Sequence, residues 1–126
     1  MIHYDLKPSN IIFSQGVIKI LDFGLCKIME DENTRMELTS QGVGTYWYLP
    51  PETFHHYDAT VNSKVDVWSI GVIFFEILYG KRPFGHGMSQ SKIYNEGTIL
   101  KATKVEFPSE TPRRFKVSEG AKKFIT

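Results

Sequence analysis

Asp5, Lys7 and Asn10 fall within the stretch HYDLKPSN (3–10), and a further carboxylate, Asp22, follows twelve residues past Asn10. A carboxylate such as Asp5 can accept a proton from an incoming hydroxyl, and a lysine two residues on can neutralise a transferring phosphoryl group. The amide oxygen of Asn10 and the carboxylate of Asp22 suit a hard cation such as Mg²⁺, which takes oxygen ligands. On its own, the octamer also reads as a polar loop with Pro8 at a turn.

The elements that must position these groups come next. Residues 11–22, IIFSQGVIKILD, combine β-branched and aromatic residues around Ser-Gln-Gly, which predicts a short hairpin. Residues 64–79 predict a helix, with Ser63 as N-cap, Asp66 three residues on and Gly80 at the C′ position. Its apolar residues lie on nearly all sides, so it should be a central post buried all round. Weaker helical patterns cover 89–102 and 118–125. The stretch 23–62 has no sustained periodicity, and irregular stretches of that length are usually functional or disordered.

Composition sets bounds on function. The chain has 126 residues, 41% hydrophobic and 23% charged, which suits one globular domain. A net charge of +1 gives no global field for nucleic acid or an anionic membrane. Charge is uneven: residues 27–37 are acidic, and 101–126 carry seven Lys/Arg against three Glu, read as a solvated face. The single cysteine, Cys26, excludes an internal disulfide, suits a reducing compartment and follows an apolar run, which favours an inert thiol. The stretch VDVWSIGVIFFEILYG carries Asp66 and Glu76 and is too short to span a bilayer. His55 and His56 are adjacent, so their side chains diverge, and GKRP (80–83) lacks the upstream glycine and Ser/Thr of a phosphate loop.

The octamer does not stand alone. DFG at 22–24, GTYWYLPPE at 44–52 and DVWSIGVIFFEILYGKRPF at 66–84 follow it in order. Together these resemble the catalytic loop, metal-binding triplet, substrate-facing loop and central helix of eukaryotic protein kinases. Within that superfamily, IHYDLKPSN, LTSQGVGTYWYLPPE, KVDVWSIGVIFFEILYGKRPFGH and TILKAT look most like the Tousled-like serine/threonine kinases.

The resemblance implies an α+β protein-kinase-like fold, mainly the helical C-lobe, with a short hairpin after the catalytic loop. It implies a serine/threonine protein kinase that uses ATP and Mg²⁺. Asp5 would be the catalytic base, Lys7 would contact the γ-phosphate, and Thr45 would bridge the two. Asn10 and Asp22 would hold the metal. His3 and Phe23 would stack beneath the site, with Gly24 completing the triplet, and Glu52 would anchor the end of an activation segment spanning 22–52. Asp66 has two readings that are not exclusive: half of a local capping box, or the acceptor for catalytic-loop backbone. Thr34, Thr39 and Ser40 are candidate phosphorylation positions.

Two departures from the family stand out. Tyr4 replaces the usual arginine before the catalytic aspartate, so a phosphate on the activation segment finds no cation there. No GxGxxG occurs, since GVGTYW (42–47) fails at Trp47, and the upper nucleotide lobe and the last helices of the C-lobe are not represented. The expectation is therefore the middle portion of a kinase domain, incomplete and inactive alone. The alternative is a kinase-like binding module without ATP turnover. The resemblance further implies protein substrates, chromatin-assembly factors among them, and an intracellular, nuclear setting, with no direct nucleic-acid or membrane partner.

Overall fold

Sixteen residues, Lys64–Tyr79, form helix α1, and the rest of the chain is organised along it. The computed structural model describes residues 1–24, 26, 36–37, 45–54 and 60–126. Three apolar clusters follow one another up α1. Val65 joins Ile2, Tyr4, Leu49, Ile93 and Ile99. Val72 and Ile73 meet Leu6 and Tyr48. Phe75 and Tyr79 meet Val117 near the C-terminal end. Because these clusters share one helix, the loop residues Ile2, Tyr4 and Leu6 and the segment after Thr45 are referred to the same rigid body.

Helix α1 departs from expectation in two ways. Ser63 has helical dihedrals and caps nothing with its side chain; instead the Lys64 amide donates to Asn62 Oδ1 at 2.8 Å. The helix is also not buried all round. Val67, Ile70 and Ile77 lie on one face and are exposed, since the three clusters cover the remaining circumference only. Its C-terminal end behaves as predicted from Gly80. That residue has φ +72°, and its amide donates to Glu76 O at 2.8 Å. A Cβ there would lie 2.6 Å from Pro112 Cγ, so glycine is required by packing as well as by conformation.

Strands β1 (Ile11–Ser14) and β2 (Val17–Ile20) pair antiparallel with Ile11 opposite Ile20 and Ser14 opposite Val17. Gln15 and Gly16 both take positive φ, the pattern of a two-residue turn whose twist matches the strands. Two-residue strands β3 (Met36–Glu37) and β4 (Thr60–Val61) make a second antiparallel pair.

The helix expected over 89–102 is shorter. Helix α2 covers Gln90–Glu96, with Ser89 Oγ capping the Lys92 amide at 3.2 Å and Gly97 ending it in the left-handed conformation. Ile99 is buried from the turn that follows, while Leu100, seven residues past Ile93, is exposed, so the helical pattern does not run on past Gly97. Helix α3 covers Glu119–Ile125, with Ser118 as N-cap to the Ala121 amide. Among the described residues, no helix is long and apolar enough to cross a membrane.

Candidate active site

The backbone of the loop 3–10 is fixed first. Asp66, in the first turn of α1, accepts from the amides of His3 (2.8 Å) and Tyr4 (3.0 Å), one to each carboxylate oxygen. With Ser63 uncapped, Asp66 serves the loop and forms no capping box. Two part-buried loop amides thus gain a charged acceptor, a stronger partner than a neutral carbonyl. Tyr4 takes φ +72°, a conformation that places its ring inside the core, where it is 2% exposed. Burial, with the neighbouring Tyr46 adding to it, pushes its hydroxyl up to about 12. The side chain that replaces the family's arginine is therefore neutral and internal.

His3 ties the loop to the end of the hairpin. Its Nε2 lies 3.0 Å from Leu21 O, and its Nδ1 accepts from the Asp5 amide at 3.2 Å. A carbonyl can only accept, so the ring carries its proton on Nε2. The Leu21 amide donates to Asn10 O at 2.7 Å, which closes the other side. The Phe23 ring meets His3 edge-on at 5.2 Å, although Phe23 is half exposed and is not enclosed.

On this frame the chemical groups converge. Thr45 Oγ1 donates to Asp5 Oδ1 at 2.9 Å and accepts from Lys7 Nζ at 3.1 Å. Lys7 Nζ stands 3.6 Å from Asp5 Oδ2. Asn10 Nδ2 donates to Asp5 O at 2.9 Å and approaches Asp5 Oδ2 at 3.4 Å. Thus Asp5, Lys7, Asn10 and Thr45 form one network across forty residues of chain. Asp22, at φ +59°, lies on the exposed side, with Oδ1 accepting from the Gly24 amide at 3.2 Å. Among the described residues, no hydrogen bond or ion pair joins its carboxylate to Asp5, Lys7 or Asn10.

The donor set fits a hard cation. Asn10 turns its Nδ2 toward Asp5, which leaves Oδ1 as the acceptor for a metal, and Asp22 has only one oxygen committed, to Gly24. No group of three or more His, Cys, Asp or Glu gathers as a metal site among the described residues. Cys26 is half-buried, and desolvation, then the Asp66 and Asp22 carboxylates, push its thiol up, the reverse of an activated nucleophile.

Glu52 is half-buried in the single-turn helix Pro51–Phe54 and has no ion-pair partner among the described residues. Thr34, Thr39 and Ser40 lie outside the described residues. Three contacts were not legible from the sequence. Ser69 Oγ donates to Tyr48 O at 2.6 Å, Tyr48 Oη donates to Glu76 Oε2 at 2.6 Å, and Arg82 stacks on Trp47. The available signal was a carboxylate, Glu76, inside the apolar C-terminal half of α1. Burial and the Glu76 contact raise the Tyr48 hydroxyl well above the usual tyrosine range.

Comparison with known proteins agrees with this geometry. The protein kinase domain family matches residues 1–126. The chain is 57% identical to the serine/threonine-protein kinase TOUSLED of Arabidopsis thaliana over 99% of its length. It is 55% identical to serine/threonine-protein kinase tousled-like 1 of Homo sapiens and 53% identical to tousled-like 1 of Caenorhabditis elegans, again over 99% of the chain. It spans 18%, 17% and 13% of the lengths of these three relatives. A loop held by an α1 carboxylate, a hydroxyl bridging an aspartate and a lysine, and a family match from end to end place this chain in the protein kinase domain family.

Proposed function

We propose that this chain carries the phosphotransfer centre of a serine/threonine protein kinase, which moves the γ-phosphoryl group of ATP to a protein hydroxyl. The observation that supports this most is the Thr45 hydroxyl seated between Asp5 and Lys7. Asp5 has Oδ1 engaged by Thr45, so the carboxylate is held in one orientation and can receive the proton of an incoming Ser or Thr hydroxyl. That oxygen attacks the γ-phosphorus while the bond to the leaving ADP oxygen breaks. Lys7 sits beside Asp5 as the cation that offsets charge on the transferring group. Asn10 and Asp22 are the oxygen donors that would hold Mg²⁺, whose charge offsets that of the phosphate oxygens. Catalysis of this kind is chiefly positioning and electrostatics, which is what the network supplies.

The test is transfer of labelled phosphate from ATP to a generic protein substrate by the longest gene product that carries this sequence. Asp5→Asn keeps the side-chain shape and removes the base, and general-base loss is worth about 10²–10⁴-fold in rate. Mg·ATP binding without turnover by the wild type would instead favour a kinase-like binding module. Chromatin-assembly proteins as substrates, and a nuclear setting, belong to the proposal through the Tousled-like resemblance. Recovery of labelled product from nuclear and cytosolic fractions, with those proteins assayed as acceptors, tests both.

A further inference from the structure

Thr45 owes its place to the segment it opens, so whatever fixes residues 45–49 fixes the contact with Asp5 and Lys7. That segment is gripped through two side chains. Trp47 Nε1 donates to Gly85 O at 3.0 Å and Met88 O at 3.1 Å, while Tyr48 Oη donates to Glu76 Oε2 at 2.6 Å. Arg82 connects the two grips. Its guanidinium carbon lies 4.3 Å from the centre of the Trp47 ring, and its Nε lies 3.7 Å from Glu76 Oε1. Arg82 Nε is buried and has no hydrogen-bond partner among the described residues. The guanidinium is therefore held by the ring face and by attraction to the carboxylate. Arginine suits this task because its flat, weakly hydrated head can stack on an indole and remain charged.

We infer that Arg82 is a positioning residue: by joining the Trp47 ring to the Glu76 carboxylate, it holds segment 45–49 where the Thr45 hydroxyl meets Asp5 and Lys7. It touches none of those groups itself. The inference rests on the reading of the site as a phosphotransfer centre, but its structural half stands apart from that reading. A role in packing alone would be different in kind. Arg82→Ala would then lower the melting temperature and leave the turnover of the folded enzyme as it was.

The experiment compares wild type, Arg82→Ala, Arg82→Lys and Glu76→Gln in the longest product that carries this sequence, assayed well below each variant's melting temperature. Steady-state phosphotransfer gives kcat and the KM for ATP. Selective ¹⁵N labelling of tryptophan and threonine gives the Trp47 indole and Thr45 amide signals. For Arg82→Ala, kcat should fall about tenfold, the scale of a partly desolvated cation–aromatic contact, with the KM for ATP within about twofold. Arg82→Lys should recover to within about threefold of wild type, and Glu76→Gln should fall between the two. Both labelled signals should shift in Arg82→Ala. Unmoved Trp47 and Thr45 signals would overturn the clamp, and so would an unchanged kcat beside a lowered melting temperature. If the wild type transfers no phosphate, the phosphotransfer reading fails, and the two signals still decide whether Arg82 fixes Thr45.

Discussion

Residues 2–10 and 11–20 adjoin in the chain, and the second stretch is the more apolar, yet their environments are opposite. In the loop, Ile2 is 1% exposed and Leu6 is 5% exposed; in the hairpin, Phe13 is 74% exposed and Ile18 is 65% exposed. The loop is irregular, which would normally leave backbone groups unsatisfied, but the side chains of Asp66, His3 and Asn10 satisfy its amides and the Asp5 carbonyl. Its apolar residues then alternate with its chemical ones, with Ile2, Tyr4 and Leu6 turned into the core and Asp5 and Lys7 facing the site. The hairpin has a regular ladder and satisfies itself, but a two-stranded ladder gains little from burial. In this molecule the order of the site comes from tertiary anchoring, and regular secondary structure carries less of it.

Paired truncations probe that contrast most strongly. Ile2→Ala should destabilise the protein by about 3–4 kcal/mol, the cost of a buried large-to-small change. Ile18→Ala should stay within about 0.5 kcal/mol, as exposed positions do. Denaturant unfolding of both variants measures this, and equal losses would erase the contrast. Next, Asp66→Ala strands the His3 and Tyr4 amides, at about 3 kcal/mol for two unsatisfied donors. If Asp66 were only a local helix residue, the loss would stay near that of a cap, about 1 kcal/mol.

Alkaline pH sharpens the comparison from inside the loop. Tyr4 ionises near 10.0 when unfolded and at about 12 when folded, so the folded state binds its proton more tightly. Its contribution is fully present below pH 10 and is lost as pH rises toward 12. Stability of the wild type relative to Tyr4→Phe should fall by up to about 2.5 kcal/mol over that window. Parallel curves would mean that Tyr4 is not buried as described. The smallest effect belongs to the surface: Glu119→Gln, which breaks the 2.8 Å pair with Lys122, should leave the melting temperature unchanged within error.

Local signals made part of this legible in advance. The span of α1 and its glycine stop follow from apolar patterning and from one residue that tolerates positive φ. The turn at Gln15–Gly16 follows from the same chemistry. What failed depended on partners distant in sequence. Leu100 keeps helical spacing from Ile93 but lies exposed in a turn from which Ile99 is the buried residue, and Ser63 resembled a cap that Asn62 supplies instead. The pairing of Asp5 with Thr45 was available only through family resemblance, because no periodicity reports a contact forty residues apart. The Trp47–Arg82–Glu76 set was missed for the same reason, although Glu76 stood out as a charge in the apolar C-terminal half of α1.

The central claim is that the Thr45 hydroxyl makes Asp5 and Lys7 act as one phosphotransfer unit. Its most direct test is kcat for protein phosphorylation by wild type, Thr45→Ser and Thr45→Val at saturating ATP, with Asp5→Asn as the floor. Serine keeps the bridging hydroxyl and should stay within about fivefold of wild type. Valine keeps the shape, removes two hydrogen bonds to charged groups and should cost about 10–100-fold. Wild-type turnover in Thr45→Val, or in Asp5→Asn, would contradict the account.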